Sequence, residues 1–260
     1  MSVDELLIEG DGRVATITLN RPDKRNALTF EMYEGLAEFC RLAVQDDDLR
    51  AVIIRGAGDK AFAAGTDISQ FRGFDGAQDG LVYEKKIDAV LADIETCPKP
   101  VIAAIAGACT GGGAAIAGLC DIRLGTRDMR FGYPIARTLG NCLSIASLQR
   151  MSTLLSAART KELILTSRLI EAEEALAIGL VSEVFDDADA LFARARELAE
   201  EIATFAPITL QVTKEMFRRM SAAEADINDD DLLAKCYGSD DFKEGLEAFL
   251  AKRKANWTGK

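Results

Sequence analysis

The sequence predicts an α/β fold, and two observations carry the prediction. Two short apolar runs, residues 51–54 (AVII) and 101–105 (VIAAI), lack polar alternation, as expected of strands covered on both faces. The segments between such runs carry apolar residues at steps of three and four, so strand, loop, helix and strand recur along the first half of the chain.

Taken in order, the alternating residues 13–19 (RVATITL) follow the turn 9–12 (EGDG) and form the second strand of a hairpin begun near residues 6–8. A helix is expected from Thr29, with Met32, Leu36, Phe39, Cys40 and Ala43 along one face, closed by the acidic run 45–48. The strand at 51–54 comes next, then a glycine-punctuated loop. A second helix groups Ile87, Val90, Leu91 and Ile94 and ends before Pro98 and Pro100. The strand at 101–105, a glycine turn and an alanine-rich helix 114–119 follow, and residues 121–124 resume the sheet. Beyond residue 140 the pattern is helical except for a strand at 180–185. Helices are expected at 194–205, 209–219, 230–236 and 242–255, with a break at Pro207. A core of residues 1–195 followed by a helical region of 196–260 is the expected organisation.

The chain has 260 residues and no histidine, which excludes Ser-His-Asp and Cys-His nucleophiles, HExxH zinc helices and histidine pH switches. Acid–base work falls to Asp, Glu, Tyr, Lys, Cys or water. With 48% apolar and 28% charged residues the composition is that of a globular protein. A net charge of -11 leaves no footprint for nucleic acid or an anionic membrane. The cysteines at 40, 97, 109, 120, 142 and 236 form no CxxC pair and read as reduced thiols, and no metal-ligand spacing occurs. The acidic start MSVDELLIEG has no signal-peptide pattern, so a cytoplasmic location is expected. Residues 101–120 are long enough to span a bilayer without a charge, but five are Gly and seven Ala. A buried strand, turn and helix is the expected reading.

Two loops have the composition of a polarising site. The first, 62–67 (FAAGTD), lets backbone N–H groups approach a ligand unobstructed. In the second, the triplet Gly111, Gly112 and Gly113 opens a helix, whose N-terminus presents unpaired donors and a partial positive charge. Alone, either loop reads as tight packing or a turn rather than as a catalytic feature. No Gly-Lys-Ser/Thr follows the triplet, and GxSxG is missing, which excludes phosphate loops and α/β-hydrolase elbows.

In order, these segments resemble the enoyl-CoA hydratase/isomerase, or crotonase, family. Residues 20–28 (NRPDKRNAL) are similar to its NRP…NAL motif, 62–67 to its FxAGxD loop, 107–121 (GACTGGGAAIAGLCD) to its second oxyanion segment and 130–134 (RFGYP) to its FxxPE region. Residues 167–184 and 244–257 resemble its AxxAxxxGLVxxV stretch and its C-terminal helix. The resemblance implies a spiral of repeated ββα units, with C-terminal helices that assemble trimers or hexamers. It implies a coenzyme A thioester as substrate and no separate cofactor. The backbone N–H groups of Ala64 and Gly112 would form an oxyanion hole. Lys24, Arg25 and Ala27 would lie along the CoA nucleotide, Gly65, Thr66 and Asp67 beside the thioester, and Lys252 at a CoA phosphate. Lys24 and Lys252 read equally well as solvated surface.

The departures matter more. Where hydratases of the family carry two glutamates this chain has Ala115 and Ile135, and isomerases keep the second of those carboxylates. Neither replacement transfers a proton, and such groups contribute ~10²–10⁴-fold each, so ordinary hydration is expected to be very slow. Cys142, in a Gly-Asn-Cys setting similar to the Gly-Asn-Asp of aryl-CoA dehalogenases, is either a thiol nucleophile at the start of a helix near 142–150 or a small filler. Arg137 binds a substrate carboxylate or pairs with a nearby acid. Tyr133 and Asp67 are weaker proton-transfer candidates. Three readings follow: a CoA-thioester enzyme without the usual glutamates, a non-catalytic acyl-CoA-binding scaffold, and a hydratase or isomerase whose base comes from another segment.

Overall fold

The computed structural model describes residues 4–10, 12–222 and 230–258. Strand β1 (Leu6–Gly10) runs antiparallel to β2 (Val14–Leu19), and Leu6 lies opposite Leu19. Thr29 caps α1 (Phe30–Leu42) by accepting the Met32 N–H, which satisfies a donor that the first turn leaves unpaired. Three units of the same plan follow. Each has a strand in the main sheet, a short strand in a second sheet and then a helix: β3 (Ala51–Gly56), β4 (Ala61–Ala64) and α2 (Ala77–Glu95); β5 (Val101–Ile105), β6 (Ala108–Thr110) and α3 (Gly112–Leu119); β7 (Ile122–Thr126), β8 (Arg130–Gly132) and α4 (Ile135–Thr138). Helices α5 (Ile145–Leu155) and α6 (Ala157–Thr166), β9 (Ile170–Glu171), α7 (Ala172–Ala177) and β10 (Glu183–Phe185) complete the two sheets. The C-terminal helices are α8 (Ala188–Ile202), α9 (Pro207–Ala222), α10 (Asp230–Tyr237) and α11 (Asp240–Leu250).

The main sheet has the order β1-β2-β3-β5-β7-β10, parallel apart from β1. The second has the order β4-β6-β8-β9, parallel apart from β9. The repeated ββα plan expected from the sequence is present. Alternate residues of β3 and β5 face two different cores, which is why their sequences are apolar throughout. Val52 and Ile54 join α1, α2 and α3 on one side. Ala51 and Ile53 meet Leu191, Ala195 and Ala199 of α8 on the other. A third, aromatic-rich cluster joins Phe71, Leu139, Leu233, Tyr237 and Phe242, so it ties α10 and α11 to the loops before α2 and after α4.

Several expected elements shift. Short strands β4, β6 and β8 stand where loops, a turn or no element was expected, because three or four residues are too few to carry a period. The strand expected at 180–185 is confined to Glu183–Phe185, after the buried turn at Leu180 and Val181. Helix α8 starts at Ala188, capped by Asp187, and runs across residue 195. Pro207 opens α9, since its fixed φ suits a first helical position. Helix α11 stops at Leu250 rather than 255. The charge-free residues 101–120 divide into β5, β6 and α3, and no helix among the described residues is long and apolar enough to cross a membrane.

Candidate active site

Strands β4 and β6 are parallel neighbours with Ala64 opposite Thr110, so the loops that leave them run side by side. Gly65 (φ +96) and Gly111 (φ +53) occupy left-handed backbone, and a Cβ on Gly111 would lie 3.4 Å from the Gly65 Cα. Gly112 is the first residue of α3, so its N–H has no acceptor within the helix. A Cβ at Gly112 would fall within the Tyr33 hydroxyl, closer than real Cβ contacts come. The two glycine loops thus meet at one point, with the positive end of α3 directed there.

The N–H of Ala64, the second donor that the resemblance implies, is engaged within the chain. The Ala64 N–H donates to the Arg25 carbonyl at 3.0 Å. The cause lies in the loop before α1. Arg25 (φ 50) and Asn26 (φ 54) are both left-handed, and fully buried Asn26 holds the turn by donating to the carbonyls of Ala57 (3.0 Å) and Ala61 (2.7 Å) while accepting the Arg21 N–H (3.0 Å). Arg21 donates to the Ala27 carbonyl at 2.5 Å and pairs with Asp67 at 2.8 Å. Asp67 also caps the turn at Ile68–Phe71 by accepting the Ser69 N–H. Burial alone raises the Asp67 carboxyl, but the hydrogen bonds from Arg21 and Ser69 outweigh it and hold the group below the usual range. Asp67 is therefore an ion-paired cap rather than an available base. Lys24 and Arg25 stand exposed on the outside of the same turn.

Thr66 links two tyrosines. Its hydroxyl lies 2.9 Å from the Tyr33 hydroxyl of α1 and 3.3 Å from that of Tyr83 on α2. Glu84, the residue after Tyr83, is only 4% exposed. It accepts a hydrogen bond from the Tyr237 hydroxyl of α10, and Asn141 donates to that hydroxyl at 3.4 Å. Gly80, one turn before Glu84, makes this possible, because any Cβ there would enter the Tyr237 ring. Burial, and next the Glu84 charge, push the Tyr237 phenol well above its ordinary value. Burial also raises Tyr33, the Thr66 hydrogen bond opposes this, and the Glu84 charge adds to the rise. All three tyrosines are neutral hydroxyls at neutral pH.

The remaining sequence candidates are scattered. Ala115, in the first turns of α3, lines a small cavity with Leu91, Tyr133, Ser147 and Arg150, and Ile135 opens α4 just beyond Pro134. Tyr133 is buried and its phenol pushed up by that burial. The helix expected to begin at Cys142 begins at Ile145, because Ser144 is the better cap and accepts the Ser147 N–H. Cys142 thus lies outside the first turn, against the aromatic cluster and beside Cys236, whose thiol is lowered by their hydrogen bond. Arg137 is exposed and makes no ion pair among the described residues, so the pairing alternative is not realised. Lys252 is exposed just past α11 in left-handed backbone (φ 53). Sequence reading missed Asn26, Tyr33, Tyr83, Glu84 and Tyr237. The signal for Glu84 was its spacing: it lies three residues before Ile87 and seven before Leu91, on the face already assigned to the core.

Two sheets built from ββα units bring a helix N-terminus and a glycine loop together beside the hydroxyls of Tyr33 and Thr66, an arrangement that can hold an anionic oxygen. The chain belongs to the enoyl-CoA hydratase/isomerase family, whose model matches residues 9–260. It is similar to the short-chain-enoyl-CoA hydratase of Clostridium acetobutylicum, with 34% identity over 98% of this chain and 97% of that protein. Among solved structures it resembles an enoyl-CoA hydratase/carnithine racemase from Magnetospirillum magneticum (37% identity, TM-score 0.80, 100% and 97% of the two chains). It also resembles a methylmalonyl-CoA decarboxylase complexed with 2S-carboxypropyl-CoA (28% identity, TM-score 0.89, 100% of both chains).

Proposed function

We propose that this protein is an acyl-CoA thioester enzyme that stabilises a thioester enolate, and that ordinary hydration is not its reaction. The observation that carries this reading is the pairing of an intact glycine-loop site at Gly112 with Ala115 and Ile135 where proton-transfer carboxylates would stand. The thioester carbonyl points at the N-terminus of α3, and the Gly112 N–H takes the charge that develops on its oxygen. Ala64 supplies the second donor by exchanging the Arg25 carbonyl for the thioester oxygen, so binding and a shift of the 24–27 turn are coupled. Gly65, Thr66 and Asp67 flank the thioester, with Asp67 holding the loop rather than transferring protons. Lys24, Arg25 and Ala27 lie along the CoA nucleotide, and exposed Lys252 serves a CoA phosphate from its own or a neighbouring subunit. Arg137 is free to meet a carboxylate on the acyl group, and Cys142 fills space.

A non-catalytic acyl-CoA-binding scaffold is the second reading, which Ala115 and Ile135 also favour, and the panel below separates the two. Self-association is part of the proposal: Ile208, Val212, Met216 and Met220 form an exposed apolar stripe at steps of four along α9, suited to a homotrimer or a pair of trimers. Light scattering should return the mass of three or six chains, and a monomer would remove this part.

The test of function is a panel of enoyl-, dienoyl- and aryl-CoA thioesters, with turnover followed by mass spectrometry and binding by calorimetry. Binding with turnover of some members, and crotonyl-CoA hydration slower than those by about 10²-fold or more, is expected. Fast crotonyl-CoA hydration overturns the reading of Ala115 and Ile135, while tight binding with no turnover of any member favours the scaffold.

A further inference from the structure

We propose that Tyr133 selects the acyl group: its hydroxyl donates a hydrogen bond to an oxygen on Cβ, which makes 3-oxoacyl-CoA thioesters the substrate class of this site. The proposal rests on the thioester reading above and names the acyl group which that reading leaves open.

Backbone pairing sets Tyr133 beside the glycine loop. Strands β6 and β8 run parallel with Thr110 opposite Gly132, and the Gly111 N–H donates to the Gly132 carbonyl at 3.0 Å. The residue after Gly132 is thus tied to the residue before Gly112. Its side chain lines the small cavity with Leu91, Ala115, Gly118, Ser147 and Arg150. Ala115 lies three residues along α3 from Gly112, a rise of about 4.5 Å. A thioester whose carbonyl oxygen meets the Gly112 N–H brings Cβ, two bonds from the carbonyl carbon, to this cavity.

The state of the phenol points to a ligand. Tyr133 is 2% exposed, and its hydroxyl makes no hydrogen bond among the described residues. Phenylalanine would fill the same place in the core without the cost of burying an unpaired hydroxyl. An acceptor carried by the acyl group removes that cost. Burial keeps the phenol neutral, so it donates.

The rest of the lining favours a carbonyl as the acceptor. Arg150 is already paired with Asp88 at 3.5 Å and Glu95 at 3.1 Å, so no uncompensated charge awaits a carboxylate. A hydroxyl on Cβ must place a proton of its own, for which the lining offers Ser147, whose own proton goes to Asp88 at 3.4 Å. A carbonyl needs no acceptor. It also suits the missing glutamates, because two carbonyls acidify the Cα–H between them and share the enolate charge. One oxygen lies at the Gly112 N–H and the other at the Tyr133 O–H, so the enolate forms without carboxylates at Ala115 and Ile135.

The experiment is calorimetry on the full chain with acetoacetyl-CoA, 3-hydroxybutyryl-CoA and butyryl-CoA, which differ at Cβ alone, with the recovered ligand checked by mass spectrometry. The parent should bind acetoacetyl-CoA about tenfold tighter than butyryl-CoA, with 3-hydroxybutyryl-CoA between them. Tyr133→Phe should weaken acetoacetyl-CoA about tenfold and leave butyryl-CoA within about twofold. Its melting temperature should equal or slightly exceed the parent's, because no hydrogen bond within the chain is lost. A parent that binds butyryl-CoA as tightly as acetoacetyl-CoA overturns the proposal without any variant, and so does a folded Tyr133→Phe protein that keeps the parent's preference. A parent that binds 3-hydroxybutyryl-CoA most tightly overturns the choice of a carbonyl. If the parent binds none of the three thioesters, the functional reading itself falls; if it binds all three alike, only the role of Tyr133 falls.

Discussion

Gly112→Pro in a Tyr33→Phe background should lower turnover by about 10²–10³-fold relative to Gly112→Ala in the same background, the usual cost of losing one oxyanion donor. The background matters because of what lies against Gly112. Any Cβ at this position enters the Tyr33 hydroxyl, while the Tyr33 Cζ and Leu28 Cδ1 stand at 3.1 and 3.2 Å. Gly112→Ala alone therefore overpacks a buried site, at a cost of about 1–3 kcal/mol or more, and any loss of activity mixes misfolding with chemistry. Tyr33→Phe removes the colliding atom and gives up its hydrogen bond with Thr66, worth about 1 kcal/mol. In that background alanine keeps the N–H and proline removes it, and proline is well tolerated at the first position of a helix. Melting temperatures of the two double variants should agree within a few degrees while kcat separates. Equal kcat in both would show that the Gly112 N–H does not carry the enolate charge.

The same residues show how much of the molecule could be read from its sequence. Strands β3 and β5 were legible because both faces are buried, against α2 on one side and α8 on the other, and this forces continuous apolar runs. Helix α1 was legible from the spacing of Met32, Leu36 and Cys40, all buried. The second sheet was not, since Ala61–Ala64 and Ala108–Thr110 are small residues whose pairing is set by tertiary neighbours and leaves no period. The glycine loops were legible as a site because only glycine accepts their left-handed backbone so close to another chain segment. What sequence could not supply was the partner of each polar group. Asp67 appears there as a free carboxylate, although Arg21, 46 residues away, neutralises it. The spacing of Glu84 puts it on the core face of its helix, but the hydroxyl that meets it there comes from Tyr237, 153 residues later. Cys142 was assigned a helix N-terminus that Ser144 in fact caps.

Ala115→Glu combined with Ile135→Glu should raise crotonyl-CoA hydration by about 10²-fold or more over the parent chain. The surroundings of the two positions favour different protonation states. Residue 115 shares its cavity with Arg150, which already pairs with Asp88 and Glu95, so a new carboxylate there joins that ion-pair network and draws only part of the guanidinium charge to stay ionised, as a base that activates water must be. Ile135 packs against the hydrophobic core, where a carboxyl is pushed toward its neutral form and can donate a proton. The pair should act as a unit, so each single variant gains far less than the double. Because the cavity beside Ala115 is small, the longer side chain will cost some stability, about 1–3 kcal/mol, and activity must be compared in variants shown to be folded and to bind crotonyl-CoA. A folded, binding double variant that hydrates no faster than the parent would show that something other than the two missing carboxylates limits the reaction.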